Sequence, residues 1–149
     1  MGYRKATLED VPILCEIRNR QLLDEGFAAD RCIDDELAEY FAKVLDDGSL
    51  VEWLFEEGGE VVATAAILFL PFPPTFANPQ GVRGYVTNMY TAPSHRRRGI
   101  ATHMLGLLAD EARERGVPRL FLSSSKMGHS VYESFGFHVA SKYMEMDQQ

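Results

Sequence analysis

The sequence predicts a single α/β domain over residues 1–149, built as a mixed, mostly antiparallel sheet of about six strands flanked by four helices. Three observations carry that expectation. A chain of 149 residues fits one domain, and at that length roughly 68–70% of the unfolded surface can be buried, so a core forms without staples. The composition, 46% apolar and 25% charged, is that of a globular protein, neither disordered nor low in complexity. Apolar spacing switches between helical and strand periods in the order βααβββαβαβ, which indicates a sheet covered by helices.

Residues 2–6 read as a short strand. Thr7 then caps a helix, with Asp10 three residues on and Pro12 in the opening turns. Leu8, Ile13, Ile17 and Leu22 give this helix one apolar face to about residue 23. A second helix is predicted over 34–45 from Leu37, Tyr40, Phe41 and Val44, and Asp46-Asp47-Gly48-Ser49 ends it. Residues 50–57 and 60–70 are apolar and β-branched strands, joined at Gly58-Gly59 as a hairpin. A proline-rich loop spans 71–81, and a third long strand over 82–91 stops at Ala92-Pro93. A long helix starts near Arg98 and ends at Arg115-Gly116, where cations and a glycine suit a C-terminus. A strand over 119–123, a short helix over 128–135 and a last strand over 137–146 complete the order.

Composition also excludes functions. Two cysteines, Cys15 and Cys32, make no disulfide framework, and the spacing of His95, His103, His129 and His138 predicts no metal site. The longest apolar run, 61–74, is shorter than the ~20 residues of a membrane span. The opening Met1-Gly2-Tyr3-Arg4-Lys5 leads into polar sequence rather than an export signal. A cytoplasmic protein with no membrane partner is the expectation. The net charge of −7 is uneven. Residues 24–60 hold 13 acids against Arg31 and Lys43, for −11, and the remainder is +4 with its densest point at Arg96-Arg97-Arg98. General nucleic-acid binding wants a broad basic face, and none is present.

The strongest motif runs from Tyr90 to Thr102. A strand ends, a loop passes three arginines and Gly99, and a helix begins. The N–H groups of a first helical turn lack intrahelical partners and carry a partial positive charge, so they attract anions. Three arginines there oppose the dipole unless an anion offsets them. Neither a Walker loop nor the dinucleotide G-x-G-x-x-G pattern is present.

Residues 86–102 resemble the acetyl-CoA signature of the GNAT superfamily of N-acetyltransferases. There a strand ending in V-x-P precedes R/Q-x-x-G-x-G/A; here these are Thr91-Ala92-Pro93 and Arg96-Arg97-Arg98-Gly99-Ile100-Ala101. Leu120-Phe121-Leu122, then Tyr132-Glu133-Ser134-Phe135-Gly136-Phe137, resembles the second signature. Three positions depart from it. Ser125 stands where Asn is common, Gly128 where Ala is common, and Tyr85 where some members carry a catalytic Glu.

The resemblance implies an acetyl-CoA-dependent N-acetyltransferase that moves the acetyl group directly to an amine of a small molecule or peptide, without a metal. It implies that the N–H groups of Arg98, Gly99, Ile100, Ala101 and Thr102 hold the pyrophosphate, with Arg96, Arg97 and Arg98 meeting the CoA phosphates. Strand backbone at Met89, Tyr90 and Thr91 would pair with pantetheine, an N–H at Met89 or Tyr90 would polarise the thioester, and Ser125 would bond the cofactor arm. Tyr132 is the implied acid for the departing thiolate. With Tyr85 at the Glu position, Glu25, His129 or a water chain are the candidates to deprotonate the amine. Asn88 either lines the acceptor pocket or is an ordinary strand-surface residue. The proline-rich loop, with Phe72 and Phe76, either walls the acceptor site or buries a homodimer contact. The other reading is a catalytically silent CoA-binding sensor or interaction module. The acidic window is expected to border the acceptor site and attract protonated amines, with the arginines at the opposite end.

Overall fold

A computed structural model describes residues 2–140 and 142–148. β1 (Gly2–Lys5) leads through a 3-10 turn to α1 (Val11–Asp24) and α2 (Asp34–Asp46). β2 (Leu50–Glu57), β3 (Glu60–Pro71) and β4 (Val82–Thr91) follow, then α3 (Ile100–Glu114), β5 (Leu120–Phe121) and α4 (His129–Phe135). The sheet order is β1-β2-β3-β4-β5, antiparallel except for the parallel β4–β5 pair. Among the described residues no helix is long and apolar enough to cross a membrane.

The middle strand is buried on both faces, which is why 61–70 reads as a nearly unbroken apolar run. Ala63, Ala65, Ile67 and Phe69 of β3 pack under Ile100, Met104, Leu105, Leu108 and Ala112 of α3. Ala66 faces the other way, onto Leu14 of α1 and Phe41 and Val44 of α2, together with Leu50 and Leu54 of β2. The hairpin between β2 and β3 turns on Gly58 and Gly59, with φ of 63° and 79°. Two successive left-handed residues define the tight turn whose twist matches the strands.

Two expectations need correction. The structure has five strands rather than about six, because none forms over 137–146 among the described residues. A sixth strand would need an edge to join, and β5 offers a ladder of only two residues, Leu120 and Phe121. Val139, Tyr143, Met144 and Met146 are exposed instead. The long helix starts at Ile100 rather than near Arg98, since Gly99 sits left-handed at φ 78° as its N-cap.

Pairing of β4 with β5 stops early. Only Gly84 and Tyr85 meet Leu120 and Phe121, while β4 continues six residues to Thr91. β5 ends there, and the edge of β4 from Val86 onward has no strand neighbour among the described residues. That open edge and the start of α3 frame the site.

Candidate active site

α3 begins as an anion site should. Its first hydrogen bond runs from the N–H of His103 to the carbonyl of Gly99 at 3.0 Å, so the N–H groups of Ile100, Ala101 and Thr102 have no helical acceptor. No side chain caps them. A methyl group built on Gly99 would meet no atom within 4 Å, so the space above it is open. Ile100 is buried under the sheet and anchors this turn, leaving only its backbone for a ligand. Arg96, Arg97, Arg98 and Thr102 are exposed. Arg97 is left-handed, at φ 65°. Such a conformation costs a non-glycine residue ~1–3 kcal/mol, and burial contributes ~1.5–3 kcal/mol for each large apolar side chain, so Ile100, Met104, Leu105 and Leu108 of α3 together outweigh it. The packed helix can therefore hold the loop in place.

The arginines and the acidic window are not at opposite ends. Arg96 lies 3.9 Å from Asp24, Arg98 lies 3.8 Å from Glu57, and Glu57 is also 3.6 Å from His95. These pairs are long, the two arginine pairs lie near the surface, and each arginine pair contributes at most ~1 kcal/mol. Arg96 Nε also donates to the Thr91 carbonyl at 3.0 Å, tying the loop to β4. A cleft of about 610 Å³ between α1, the β2–β3 hairpin and the end of β4 adjoins this loop, lined by Arg20, Tyr90, Ala92, Ser94 and His95 among others.

The second feature is a bulge in β4. Thr64 pairs with Tyr90 and Ala66 with Thr87, so Ala65 alone stands opposite both Asn88 and Met89. The extra residue falls outside the ladder. Asn88 is left-handed at φ 54° and, with Arg97, is one of two non-glycine residues of positive φ among the described residues. Backbone strain of this kind concentrates at functional sites. Met89 packs half-buried towards α3, Tyr90 is buried, and Thr91 is half-buried.

Asn88 is no strand-surface residue. It is 6% exposed, and its Nδ2 donates to Glu52 Oε1 at 3.1 Å. Its carbonyl accepts from Thr64 Oγ1 at 2.8 Å. Glu52 is 2% exposed, and burial pushes its pKa up to about 8, while the Asn88 hydrogen bond and the charge of Arg18 pull it down. Sequence reasoning missed Glu52. The signal was its phase, since β2 alternates and Glu52 falls in step with the buried Leu50 and Leu54.

Tyr132 lies half-buried on α4, edge-on to Phe137. Burial pushes its hydroxyl up to about 12, with further upward contributions from the charges of Glu25 and Tyr85. Tyr85 in turn stacks on Phe121 with ring centroids 5.0 Å apart. Burial likewise raises Tyr40 of α2, helped by Glu52 and Tyr85 and opposed by Arg18. Tyr132 of α4 and Tyr40 of α2 thus both feel Tyr85 of β4, and Tyr40 also feels Glu52 of β2 and Arg18 of α1. The Ser125 hydroxyl accepts the N–H of Gly128 at 3.1 Å, which holds the entry to α4 and leaves its hydrogen free. Gly128 has a steric reason to lack a side chain, because a methyl there would lie 2.8 Å from Tyr132 Cε2. His129 is engaged with the Ser124 hydroxyl at 3.1 Å and lies 3.5 Å from Glu133. His103 stacks on Tyr3 at 4.2 Å. Burial raises the Cys15 thiol, which disfavours the thiolate a nucleophile needs. Among the described residues no group of three His, Cys, Asp or Glu could hold a metal ion. The loop residue Phe72 packs against Phe121 and under Arg83, whereas Phe76 projects into solvent.

Comparison with known proteins gives this arrangement a family. The acetyltransferase (GNAT) family model matches residues 14–137. A predicted acetyltransferase from Clostridium acetobutylicum, solved with acetyl-CoA, superposes with a TM-score of 0.96 at 46% identity, covering 98% of this chain and 95% of that one. A GCN5-related N-acetyltransferase from Ralstonia eutropha superposes at 0.89 with 28% identity, covering 97% of each chain. Among curated proteins, the uncharacterised N-acetyltransferase YsnE of Bacillus subtilis is 34% identical over 67 residues, 42% of this chain and 44% of that protein's length. The uncharacterised N-acetyltransferase YjgM of Escherichia coli is 26% identical over 140 residues, 90% of this chain and 80% of that protein. With its family model spanning most of the chain and its fold shared at high identity, the protein belongs to the GNAT family of acetyltransferases.

Proposed function

We propose that the protein transfers an acetyl group from acetyl-CoA directly to the primary amine of a small molecule or peptide. The observation that carries this reading is the pairing of an unpartnered β4 edge with the open first turn of α3. The donors suit the ligand: three orphan N–H groups fit a pyrophosphate, and a bare strand edge fits an extended amide chain. The C. acetobutylicum relative was solved with acetyl-CoA, which supports the same co-substrate here.

Acetyl-CoA supplies the activated acyl group. In this reading Ile100, Ala101 and Thr102 bind the pyrophosphate through backbone N–H groups extended by those of Arg98 and Gly99. Arg96, Arg97 and Arg98 add charge, and Met89, Tyr90 and Thr91 pair with pantetheine through their backbone. The N–H of Met89, at the bulge, stabilises negative charge where it develops on the acetyl oxygen, a preorganised donor that needs no rearrangement. Ser125 donates its hydroxyl hydrogen to the cofactor arm. Tyr132 keeps its proton at neutral pH and steadies the departing sulfur. Full transfer from a phenol near 12 to a thiolate near 8.5 is uphill by roughly 5 kcal/mol, so Tyr132 acts mainly as a hydrogen-bond donor.

Thiol release from acetyl-CoA, measured over a panel of primary amines, tests the reading. Release that depends on an amine is expected. Thermal stabilisation by acetyl-CoA with no release on any amine would make the protein a silent binding module, and absence of stabilisation would remove both readings.

A further inference from the structure

The Glu52–Asn88–Thr64 chain has no part in the reaction as proposed, yet it joins three strands through buried polar atoms. Interior polar groups carry a desolvation cost and persist where hydrogen bonds satisfy them. Here each bond serves one residue. Asn88 is the bulged, left-handed residue, and two of its polar groups, the side-chain N–H and the backbone carbonyl, are held from neighbouring strands. Glu52 Oε1 on β2 accepts its side-chain N–H at 3.1 Å, and Thr64 Oγ1 on β3 donates to its carbonyl at 2.8 Å. Either bond would be lost if the ladder closed and Asn88 took ordinary strand backbone, for the residue would then turn its side chain or its carbonyl elsewhere. A one-residue change of register would also flip Met89 to the other face.

Resting on the acetyl-transfer reading above, we propose that Glu52 and Thr64 are positioning residues that lock the β4 bulge through Asn88 and thereby aim the Met89 N–H at the acetyl oxygen. The carboxyl of Glu52 serves as a hydrogen-bond acceptor and does not exchange a proton with the substrate. Gln, which keeps an acceptor oxygen at the same reach, substitutes for it, and Leu does not. Ser in place of Thr64 keeps the donor, and Val removes it.

The test combines kinetics with structure. Glu52→Leu and Thr64→Val are expected to lower kcat by roughly 100-fold, the scale of a reacting group misplaced by about 1 Å, while acetyl-CoA still raises their melting temperatures. Glu52→Gln and Thr64→Ser are expected to recover most of that loss. Crystal structures of the Leu and Val variants should show Asn88 outside left-handed backbone. Three results overturn the proposal: a bulge retained in both variants, a bulge lost without a fall in kcat, or Glu52→Gln as impaired as Glu52→Leu, which would make the carboxyl a proton carrier. Failure of the acetyl-transfer reading looks different, because there the wild-type protein itself releases no thiol with any amine.

Discussion

Glu52 is an acid in a place built for leucine, and its ionisation sets a pH dependence. An ordinary glutamate has a pKa of 4.5, and burial lifts this one to about 8 in the folded protein. Between those values the folded state holds a proton that the unfolded state has lost. The sign follows: its contribution to stability is complete below pH 4.5 and is lost as pH rises to about 8. Thermal melts from pH 5 to 8 should fall more steeply for wild type than for Glu52→Gln, by up to roughly 1 kcal/mol per pH unit. Parallel curves would contradict the burial argument. Tyr132 is expected to behave otherwise. Held near 12 it gives no inflection at ordinary pH, and Tyr132→Phe should cut kcat about tenfold or more with acetyl-CoA affinity nearly unchanged. An unchanged kcat would remove Tyr132 from the reaction. Gly128→Ala should act through the same ring, since the new methyl cannot stay 2.8 Å from it. Its kcat is expected to fall towards that of Tyr132→Phe, with melting shifted by ~1 kcal/mol or less; kcat equal to wild type would mean the ring yields without consequence.

At the scale of elements, the arginine loop combines a helix start with a left-handed Arg97. Arg97→Gly should relieve that backbone and leave melting unchanged or raised by ~0.5–1 kcal/mol. Acetyl-CoA should bind several-fold more weakly, with a shallower salt dependence, because one cation has gone but the N–H groups remain. Titration calorimetry at two salt concentrations reads both effects; unchanged affinity and slope would place Arg97 away from the phosphates. The elements differ in how plainly the sequence declared them. β2, β3 and β4 were legible because runs such as Val61 to Leu70 are buried on both faces and the Gly58-Gly59 turn marks their hairpin. The strand expected over 137–146 was not, because alternation describes a segment and pairing needs an edge, which the two residues of β5 do not supply. Glu52 escaped for the opposite reason. A charged letter in a strand reads as solvent-facing, and only its phase with Leu50 and Leu54 revealed a buried position. Asn88 was noticed as polar among apolar residues, but a bulge depends on the register between two strands and leaves little mark on either alone.

Across the molecule, the charge distribution changes meaning once folded. The acidic window and the basic loop looked like separate ends of a two-sided surface, yet Asp24 and Glu57 stand beside Arg96 and Arg98. In the proposed reading, phosphates of the acetyl donor would compete at α3 with carboxylates already there, through pairs weak enough to be displaced. The groups of the proposed site come from every layer: α1 and α2 on one face of the sheet, α3 and α4 on the other, and the β4 edge beyond β5 between them. Only the assembled sheet creates that open edge, since its cause is the early end of a ladder rather than any motif. In the proposed reading, the open β4 edge and the first turn of α3 form one continuous site for the acetyl donor. A crystal structure with CoA should place the pyrophosphate within hydrogen-bonding distance of the N–H groups of Ile100, Ala101 and Thr102, pantetheine along Met89 to Thr91, and the sulfur beside Tyr132. CoA bound away from the β4 edge, or with its sulfur remote from Tyr132 and the bulge, would contradict it.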